Sequence, residues 1–206
     1  MLGADDENTS SYNTKSSTIK GNSTTSGTID YWYYNNIELK GYSDYLEDTV
    51  WCNDRTIYQK NGWDPNGGST TSYLYFGSYG RARVTYQPNL ICSRNIDSFT
   101  VSESNGNGDL DYPVGLLTAD EIMLAGGANS ANSSYYLYTG QYYWAGSPFN
   151  FYFSIASEFY VDYPGSLDGT HVYYASVGVR PSVSLKLGFK LTGDGDGSAT
   201  NPYVVE

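Results

Sequence analysis

The first half of the chain is mostly polar, and apolar residues recur at helical spacing in one early stretch: Ile29, Trp32, Tyr33 and Ile37. We therefore expect a helix over Thr28–Leu39, because its first residue can cap the free N–H groups. A second short helix is expected over Ser43–Asp48. Residues 1–27 are rich in Ser, Thr, Asn and Gly, a composition typical of a flexible linker.

The clearest local signal lies in the middle of the chain. Thr118 and Glu121 form a T-x-x-E capping box ahead of an apolar run, and Gly126 supplies the stop. We expect a helix between them, preceded by an extended, buried segment over 112–117. From Cys52 to Thr100 the pattern predicts loops and short extended pieces, with a strand over Ser98–Ser102.

After Gly127 the pattern changes to short alternating and aromatic runs separated by Gly and Pro, which predicts strands. The expected strands are two pieces within 135–144, then 147–151, 155–161, 170–174, 177–188 and 201–206. Two early helices followed by a dense β half predict one α+β domain over residues 28–206. We expect its β half to be twisted and mostly antiparallel.

The net charge of −11 argues against nucleic acid as a partner, because phosphates are bound by clustered Lys and Arg. Apolar runs stay far below the length of a membrane span. We interpret the first residues, MLGADDENTSS, as the start of a fragment, with any export signal or anchor upstream. The expected location is extracellular or at the cell surface.

The two cysteines, Cys52 and Cys92, are forty residues apart and lie outside any C-x-x-C motif. Because the sequence has a single His, zinc is poorly supported, and we expect neither a metal nor a cofactor. A disulfide would suit an exported protein, whereas two buried thiols would suit a cytosolic one. The rest of the composition favours the disulfide.

Tyrosine is unusually abundant, at 23 of 206 residues, and rings often occupy adjacent positions in the C-terminal half. In a strand, adjacent side chains point to opposite faces, so one ring of a pair can enter the core while the other faces outward. The outward set would form a large aromatic patch suited to binding. The alternatives are a sheet buried on both faces, or a tyrosine-rich β protein without a special site.

Other candidate chemistry is weaker. The lone His171 has no G-x-S-x-G context, so a surface histidine is favoured over a general base. Alternating carboxylates such as Asp194 and Asp196 invite a calcium interpretation, but a Gly-Asp turn is favoured because the rest of an EF-hand loop is missing. Arg180 lies within an apolar run, where we expect it to pair with a carboxylate or a backbone carbonyl.

Three segments, YPVGLLTADEIMLAGG, YYLYTGQYYWAGSP and VGVRPSVSLK, resemble in that order a group of bacterial surface proteins with a W-x-x-S-P segment and a late G-V-R-P. These in turn resemble the C-type-lectin-like fold, in the branch shared by formylglycine-generating enzymes and the variable proteins of diversity-generating retroelements. That branch closes its core with a late G-[FV]-R segment, here Gly178–Arg180. The resemblance spans roughly Thr28 to Glu206.

The resemblance implies two different functions. Enzymatic members use a late cysteine pair, which is missing after Cys92, so we expect no enzyme. Variable members are binders that display diversified side chains on a rigid scaffold. The resemblance assigns these scaffold positions: Trp144, Ser147, Pro148, Phe151, Ala156, Phe159, Val161, Gly165, Leu167, Val172 and Gly178–Pro181. It assigns these ligand-binding positions between them: Phe149, Asn150, Tyr152, Phe153, Tyr160, Asp162, Tyr163, Asp168, Thr170, His171, Tyr173, Tyr174 and Ser176.

The resulting hypothesis is a non-enzymatic recognition domain with a tyrosine-rich C-terminal surface, which the resemblance implies is hypervariable. Its expected ligand is a protein or glycan on another cell, a phage or a host surface. The alternative is the structural head of a pilin-like or cell-wall protein, whose rings would be subunit contacts. A glycan-active or oxidising enzyme is the weakest alternative.

Overall fold

The computed structural model describes residues 29–61, 73–152, 155–174, 176–198 and 200–205. The predicted linker, 1–27, lies outside the described residues. Within them the fold is mixed, with few helices and three antiparallel sheets, as the α+β expectation required.

The helices are short. Helix α1 covers Ile29–Tyr33 and continues as a π-helical turn over Tyr34–Glu38. Helix α2 covers Gly77–Gly80 and continues as a π-helical turn over Arg81–Thr85. Helix α3 covers Ala119–Leu124. Single 3₁₀ turns occupy Ser43–Tyr45 and Asn95–Asp97.

The prediction of two early helices is therefore half wrong. The second, over Ser43–Asp48, is a 3₁₀ turn followed by a strand, because Leu46 enters the core and pairs with Leu185 near the end of the chain. This pairing spans most of the sequence, so local spacing could not reveal it. Helix α2 was not predicted at all.

The described residues form nine strands: β1 Leu46–Glu47, β2 Trp51–Cys52, β3 Ile57–Asn61, β4 Tyr73–Phe76, β5 Ser98–Phe99, β6 Tyr143–Tyr152, β7 Ile155–Val161, β8 Leu167–His171 and β9 Ser184–Leu185. The main sheet has the order β3-β4-β6-β7-β8. Two small sheets pair β1 with β9 and β2 with β5. The described chain thus forms one antiparallel platform with short flanking pairs.

The strand predictions had mixed outcomes. The strand predicted over 155–161 is confirmed as β7. Of the two pieces predicted within 135–144, the first is wrong, because Tyr138 donates its backbone N–H to the carbonyl of Tyr135 in a turn. The second is confirmed only at its end, since β6 begins at Tyr143. The long strand predicted over 177–188 is reduced to β9 and isolated bridges, because Gly178 and Ser182 pair with different parts of the chain. In 201–206, the described residues make only isolated bridges.

The core lies on both sides of β6. Tyr143 packs into a cluster with Ile122, Phe159 and Leu167, while the adjacent Trp144 packs into a second cluster with α1 on the other face. Both rings are therefore buried, as the alternative of a sheet covered on both faces requires. Farther along β6, one ring of an adjacent pair enters the core and the other faces outward, as predicted: Phe151 is buried and Tyr152 is 46% exposed.

Helix α3 begins with the predicted capping box. The Thr118 hydroxyl accepts from the N–H of Glu121 at 3.1 Å, and the Glu121 carboxylate accepts from the N–H of Thr118 at 2.7 Å. The helix also buries Ala119 and Ile122 completely. The first turn is thus fixed by reciprocal hydrogen bonds and by packing beneath the sheet.

Replacing Thr118 with alanine should lower the free energy of unfolding by about 1 kcal/mol, because one N–H of the first turn loses its acceptor. In a domain of this size the melting temperature should fall by about 2–4 °C. Thermal unfolding followed by circular dichroism measures the change. Thr118→Ser is the matched control and should retain most of the stability; equal losses in both variants would contradict the capping role.

Candidate ligand-binding surface

One face of the main sheet carries part-exposed rings together with polar side chains. Register pairing places Tyr75, Asn150, Ser157 and His171 side by side across β4, β6, β7 and β8. A second row pairs Tyr73 with Tyr152. Because paired residues of antiparallel strands point to the same face, these side chains share one side of the sheet.

Ring contacts join the N-terminal part of this surface into one group. Tyr75 stacks on Tyr79 with centroids 3.9 Å apart and contacts Tyr73 at 4.9 Å. Tyr79 in turn contacts Tyr58 at 6.3 Å and Phe149 at 5.1 Å. We call the whole surface the aromatic face: Tyr58, Tyr73, Tyr75, Tyr79, Phe149, Tyr152, His171, Tyr173 and Tyr174.

Phe149 marks the border between the aromatic face and the core. It lies at an irregularity in the register of β6, and its ring meets Phe159 edge-on at 4.9 Å. A Cβ at Gly169 would come within 2.3 Å of this ring, so the glycine of β8 leaves the space that the ring occupies. The border ring is therefore held from two sides.

A charged pair flanks the same ring. The guanidinium of Arg83 lies 5.7 Å from the Phe149 centroid and donates to Asp168 at 2.5 Å. Burial raises the pKa of the Tyr79 phenol, with Tyr75 contributing in the same direction, so this phenol stays neutral near physiological pH. The neutral Tyr79 phenol thus lies near an ion pair at the border of the aromatic face.

The far end of the face is a stack on β8 and the turn after it. His171 stacks on Tyr173 at 5.2 Å and lies 6.0 Å from Tyr174, and both tyrosines are exposed. The His171 Nδ1 lies 3.2 Å from the hydroxyl oxygen of Ser157. Ser157 is only 5% exposed and lies within β7, so it lacks the access that a nucleophile needs.

The structure brings together about half of the residues predicted to bind ligand. Phe149, Asn150, Tyr152, His171, Tyr173 and Tyr174 lie on or beside the aromatic face, and Asp168 borders it through Arg83. The others lie elsewhere. Tyr160 packs against Trp144 on the opposite face of the sheet, and Thr170 pairs with Glu158 on that same opposite face. Asp162 and Tyr163 occupy the turn between β7 and β8, and Ser176 is exposed beyond β8. Phe153 lies outside the described residues.

Burial nevertheless separates the two sets that the resemblance assigns. None of the described ligand-binding positions is buried. Most scaffold positions are buried: Trp144, Ser147, Pro148, Phe151, Ala156, Phe159, Val161, Gly165 and Leu167. Val172 is the exception within the β half, because the chain turns there, and Gly178–Pro181 is exposed or half-buried.

Sequence reasoning missed the N-terminal half of the aromatic face. Tyr58, Tyr73, Tyr75 and Tyr79 come from β3, β4 and α2, far from the aromatic C-terminal stretch. A signal was present in the alternation of β4, YLYF, in which the tyrosines are half-buried and Leu74 and Phe76 are fully buried. The pairing of β4 with β6, which joins the two halves, could not be derived from that alternation.

A small pocket of about 80 Å³ lies apart from this face, with Trp51, Arg81, Asp120 and Ser147 in its wall. Arg81 pairs with Asp54 at 2.8 Å and with Asp120 at 2.7 Å. Burial alone would lower the pKa of Arg81, but hydrogen bonds and charges from Asp120 and Asp54 outweigh it and raise the pKa. Of the charged groups in the described part of the pocket wall, Asp54, Arg81 and Asp120 pair with one another, and Glu121 accepts hydrogen bonds from Thr118.

Two features tie distant segments together. Cys52 and Cys92 form a disulfide with Cα atoms 5.6 Å apart. Arg180 donates to the carbonyl oxygen of Leu137 and lies 5.1 Å from the Tyr143 ring, so the predicted pairing with a backbone carbonyl is confirmed. Gly178 also exchanges backbone hydrogen bonds with Tyr142 and Trp144. The late Gly178–Arg180 segment is thereby fastened to the start of β6.

In the described part of the chain, acidic, histidine and cysteine residues form no group of three or more that could hold a metal ion. No helix among the described residues is long and apolar enough to cross a membrane. Comparison of the chain with protein-family models, curated proteins and solved structures gives no match.

Proposed function

We propose that the protein is a non-enzymatic recognition domain that binds a macromolecular ligand through its aromatic face. The observation that carries this proposal is the two groups of part-exposed rings on one side of the main sheet, around Tyr79 and around His171. Tyrosine offers a large contact area at a low cost in side-chain entropy, and neighbouring rings already fix these side chains. A preformed surface of this kind suits binding.

The proposal includes a C-type-lectin-like fold of the branch that contains retroelement variable proteins. Two observations support it. The late Gly178–Arg180 segment is fastened onto β6, the role that the resemblance assigns to it. Burial divides the assigned scaffold positions from the assigned ligand-binding positions. The disulfide supports an extracellular or cell-surface location, since such bonds persist in oxidising compartments.

Binding to intact cells tests the recognition role. The fluorescently labelled domain is applied to Gram-positive, Gram-negative and epithelial cells, and bound fluorescence is measured by flow cytometry. We expect saturable binding to at least one of these cell types. A variant carrying Tyr152→Ser and Tyr174→Ser should lose at least tenfold in affinity, because it removes exposed rings from the aromatic face.

The matched control is Tyr136→Ser, which removes a ring that is 81% exposed but lies outside the aromatic face. It should bind as the unmodified domain does. Equal binding by all three proteins, or no binding to any cell type, would contradict the proposal. If the double replacement instead abolishes self-association in sedimentation velocity, the rings are subunit contacts and the structural-head alternative holds.

The resemblance to variable proteins has a separate test in DNA sequence. Sister copies of the gene should differ mainly at the assigned ligand-binding positions and agree at the buried scaffold positions. A near-identical template repeat beside a reverse-transcriptase gene should accompany them. Invariant residues at the assigned positions would contradict hypervariability while leaving the binding role of the aromatic face intact.

A further inference from the structure

A second surface of apolar side chains lies at the β1–β9 pair and the segment after it. Tyr45 contacts Tyr42 and Phe189, with ring centroids 6.3 Å and 5.1 Å apart. Two residues beyond Phe189, Leu191 forms an antiparallel bridge with Val205, so their side chains point to the same side. We call this surface the apolar patch: Tyr42, Tyr45, Leu185, Leu187, Phe189, Leu191, Tyr203 and Val205.

Most side chains of the apolar patch are open to solvent. Leu187 is fully exposed at 101%, Leu191 is 58% exposed and Tyr203 is 57% exposed. Single exposed apolar residues are normal on a protein surface, but a group of them bordered by polar residues marks an interaction site. Because Leu187 is fully exposed, it gains hydrophobic free energy only by contact with another molecule. The apolar patch therefore suits an interface.

The charges beside the apolar patch favour a second copy of the chain as the partner. Residues 185–198 contain four charged side chains, all exposed: Lys186 and Lys190 come first, and Asp194 and Asp196 follow. Two lysines and two aspartates sum to zero, whereas the whole chain carries −11. Two copies therefore repel each other less at this segment than at the acidic remainder of their surfaces. An acidic partner would be attracted at one end of the segment and repelled at the other.

The order of these charges is complementary to itself. A two-fold axis beside Leu191 reverses the segment in the second copy, so the lysines of each copy face the aspartates of the other. Local hydrogen bonds hold both carboxylates: the Thr192 hydroxyl donates to Asp194 at 3.0 Å, and the N–H of Ser198 donates to Asp196 at 2.9 Å. The hydrogen bonds from Ser198 also lower the pKa of Asp196, so this carboxylate stays charged. In a symmetric dimer the same charge contact forms twice.

We propose that the protein forms a symmetric dimer through the apolar patch, with Leu187 and Leu191 near the axis and the Lys–Asp pairs at the edges. Leu46 of the underlying β1 packs with Trp144 and Tyr160, on the side of the main sheet opposite the aromatic face. The dimer therefore leaves both aromatic faces free. Dimerisation is independent of what the aromatic face binds, but two linked faces hold a ligand on a cell surface with higher avidity.

Sedimentation velocity at increasing protein concentration tests for the dimer. We expect a reversible monomer–dimer equilibrium in the unmodified protein. A variant carrying Leu187→Ser and Leu191→Ser should dimerise at least tenfold more weakly, because the contact loses apolar area. Leu124→Ser is the matched control, since Leu124 is 59% exposed and lies on α3 outside the apolar patch. The melting temperature of the dilute protein verifies that each variant is folded.

Two results of this experiment would overturn the proposal. The first is a protein that is still monomeric at about 0.5 mM, a concentration at which dimers of micromolar affinity have formed. The apolar patch would then be left to a different partner. The second is a dimer that persists in the double leucine variant and is lost with Tyr152→Ser and Tyr174→Ser, because the subunit contact would then be the aromatic face.

Charge reversal tests whether the partner is a second copy in the two-fold arrangement. Lys186→Asp with Lys190→Asp makes all four charges negative, and Asp194→Lys with Asp196→Lys makes all four positive. Each variant alone should lose at least tenfold in dimer affinity through repulsion between like charges. An equimolar mixture of the two should form one-to-one dimers, and a variant with all four charges reversed should dimerise as the unmodified protein does. No recovery in either case would overturn the proposal.

Discussion

Replacing Asp97 with alanine should lower the free energy of unfolding by about 3–5 kcal/mol, because it removes one partner of a buried, hydrogen-bonded ion pair. The side chains of Arg55 and Asp97 are 3% and 2% exposed. Arg55 Nε donates to Asp97 Oδ1 at 2.5 Å, and its backbone N–H donates to the other carboxylate oxygen at 3.3 Å. The change removes both of these acceptors, whereas the hydrogen bond from Arg55 to the carbonyl of Ile96 is retained.

Guanidinium-chloride unfolding followed by tryptophan fluorescence measures the loss. The matched control is Asp44→Ala, which removes the same charge from an exposed position and should change stability by no more than about 0.5 kcal/mol. Replacing both partners, by Arg55→Met and Asp97→Ala, should recover part of the loss since no buried charge is left unpaired. The buried-pair account fails if Asp97→Ala costs no more than Asp44→Ala.

The outcome of the sequence predictions follows the range of the contacts involved. The capping box of Thr118 and Glu121 was predictable because both partners lie within one helical turn. Helix α2 was not, because its sequence, GSYG, has poor helix propensity. Tertiary contacts compensate: Ser78 donates to the carbonyl of Pro148, and Arg81 binds Asp54 and Asp120.

In the last third of the chain, a strand was predicted that the structure only partly contains. The segment 177–188 alternates between apolar and polar residues, but its pairing is divided among three partners. Gly178 pairs with Tyr143, Ser182 with Gly115, and Ser184–Leu185 with β1. Alternation indicates half-burial and does not require one continuous neighbouring strand. A strand prediction from alternation alone was therefore too long.

The candidate site was partly predictable for the same reason. The C-terminal rings were visible in the sequence, and their exposure or partial exposure follows from the pleat of β6 and its neighbours. Tyr160 was assigned to the same surface, yet alternation after the buried Phe159 places it on the opposite face. Tyr58, Tyr75 and Tyr79 enter the surface only through strand pairing across distant segments.

Removing the disulfide should lower the free energy of unfolding by about 4 kcal/mol. Cys52 and Cys92 close a loop of forty residues, and the chain-entropy model gives about this value for a loop of that length. Without the bond the unfolded chain has more freedom to lose on folding. A change of this size shifts the ratio of folded to unfolded protein by roughly a thousandfold.

Unfolding by guanidinium chloride with and without dithiothreitol measures this contribution. A variant carrying Cys52→Ala and Cys92→Ala is the control: it should match the reduced protein in stability and be insensitive to the reductant. The same unfolding midpoint for oxidised and reduced protein would contradict the role of the disulfide. The Asp97 ion pair joins the same two segments, so losses from the two changes should not add.

The position of the disulfide also connects stability with binding. The loop it closes contains β3, β4 and α2, which supply Tyr58, Tyr73, Tyr75 and Tyr79 to the aromatic face. Tyr152 and His171 lie outside this loop. Reduction should therefore weaken ligand binding at denaturant concentrations where the oxidised domain is still folded, because half of the surface depends on the closed loop. Binding of the labelled domain to cells in intermediate denaturant, with and without reductant, measures this effect. Identical binding curves would show that the aromatic face forms independently of the disulfide.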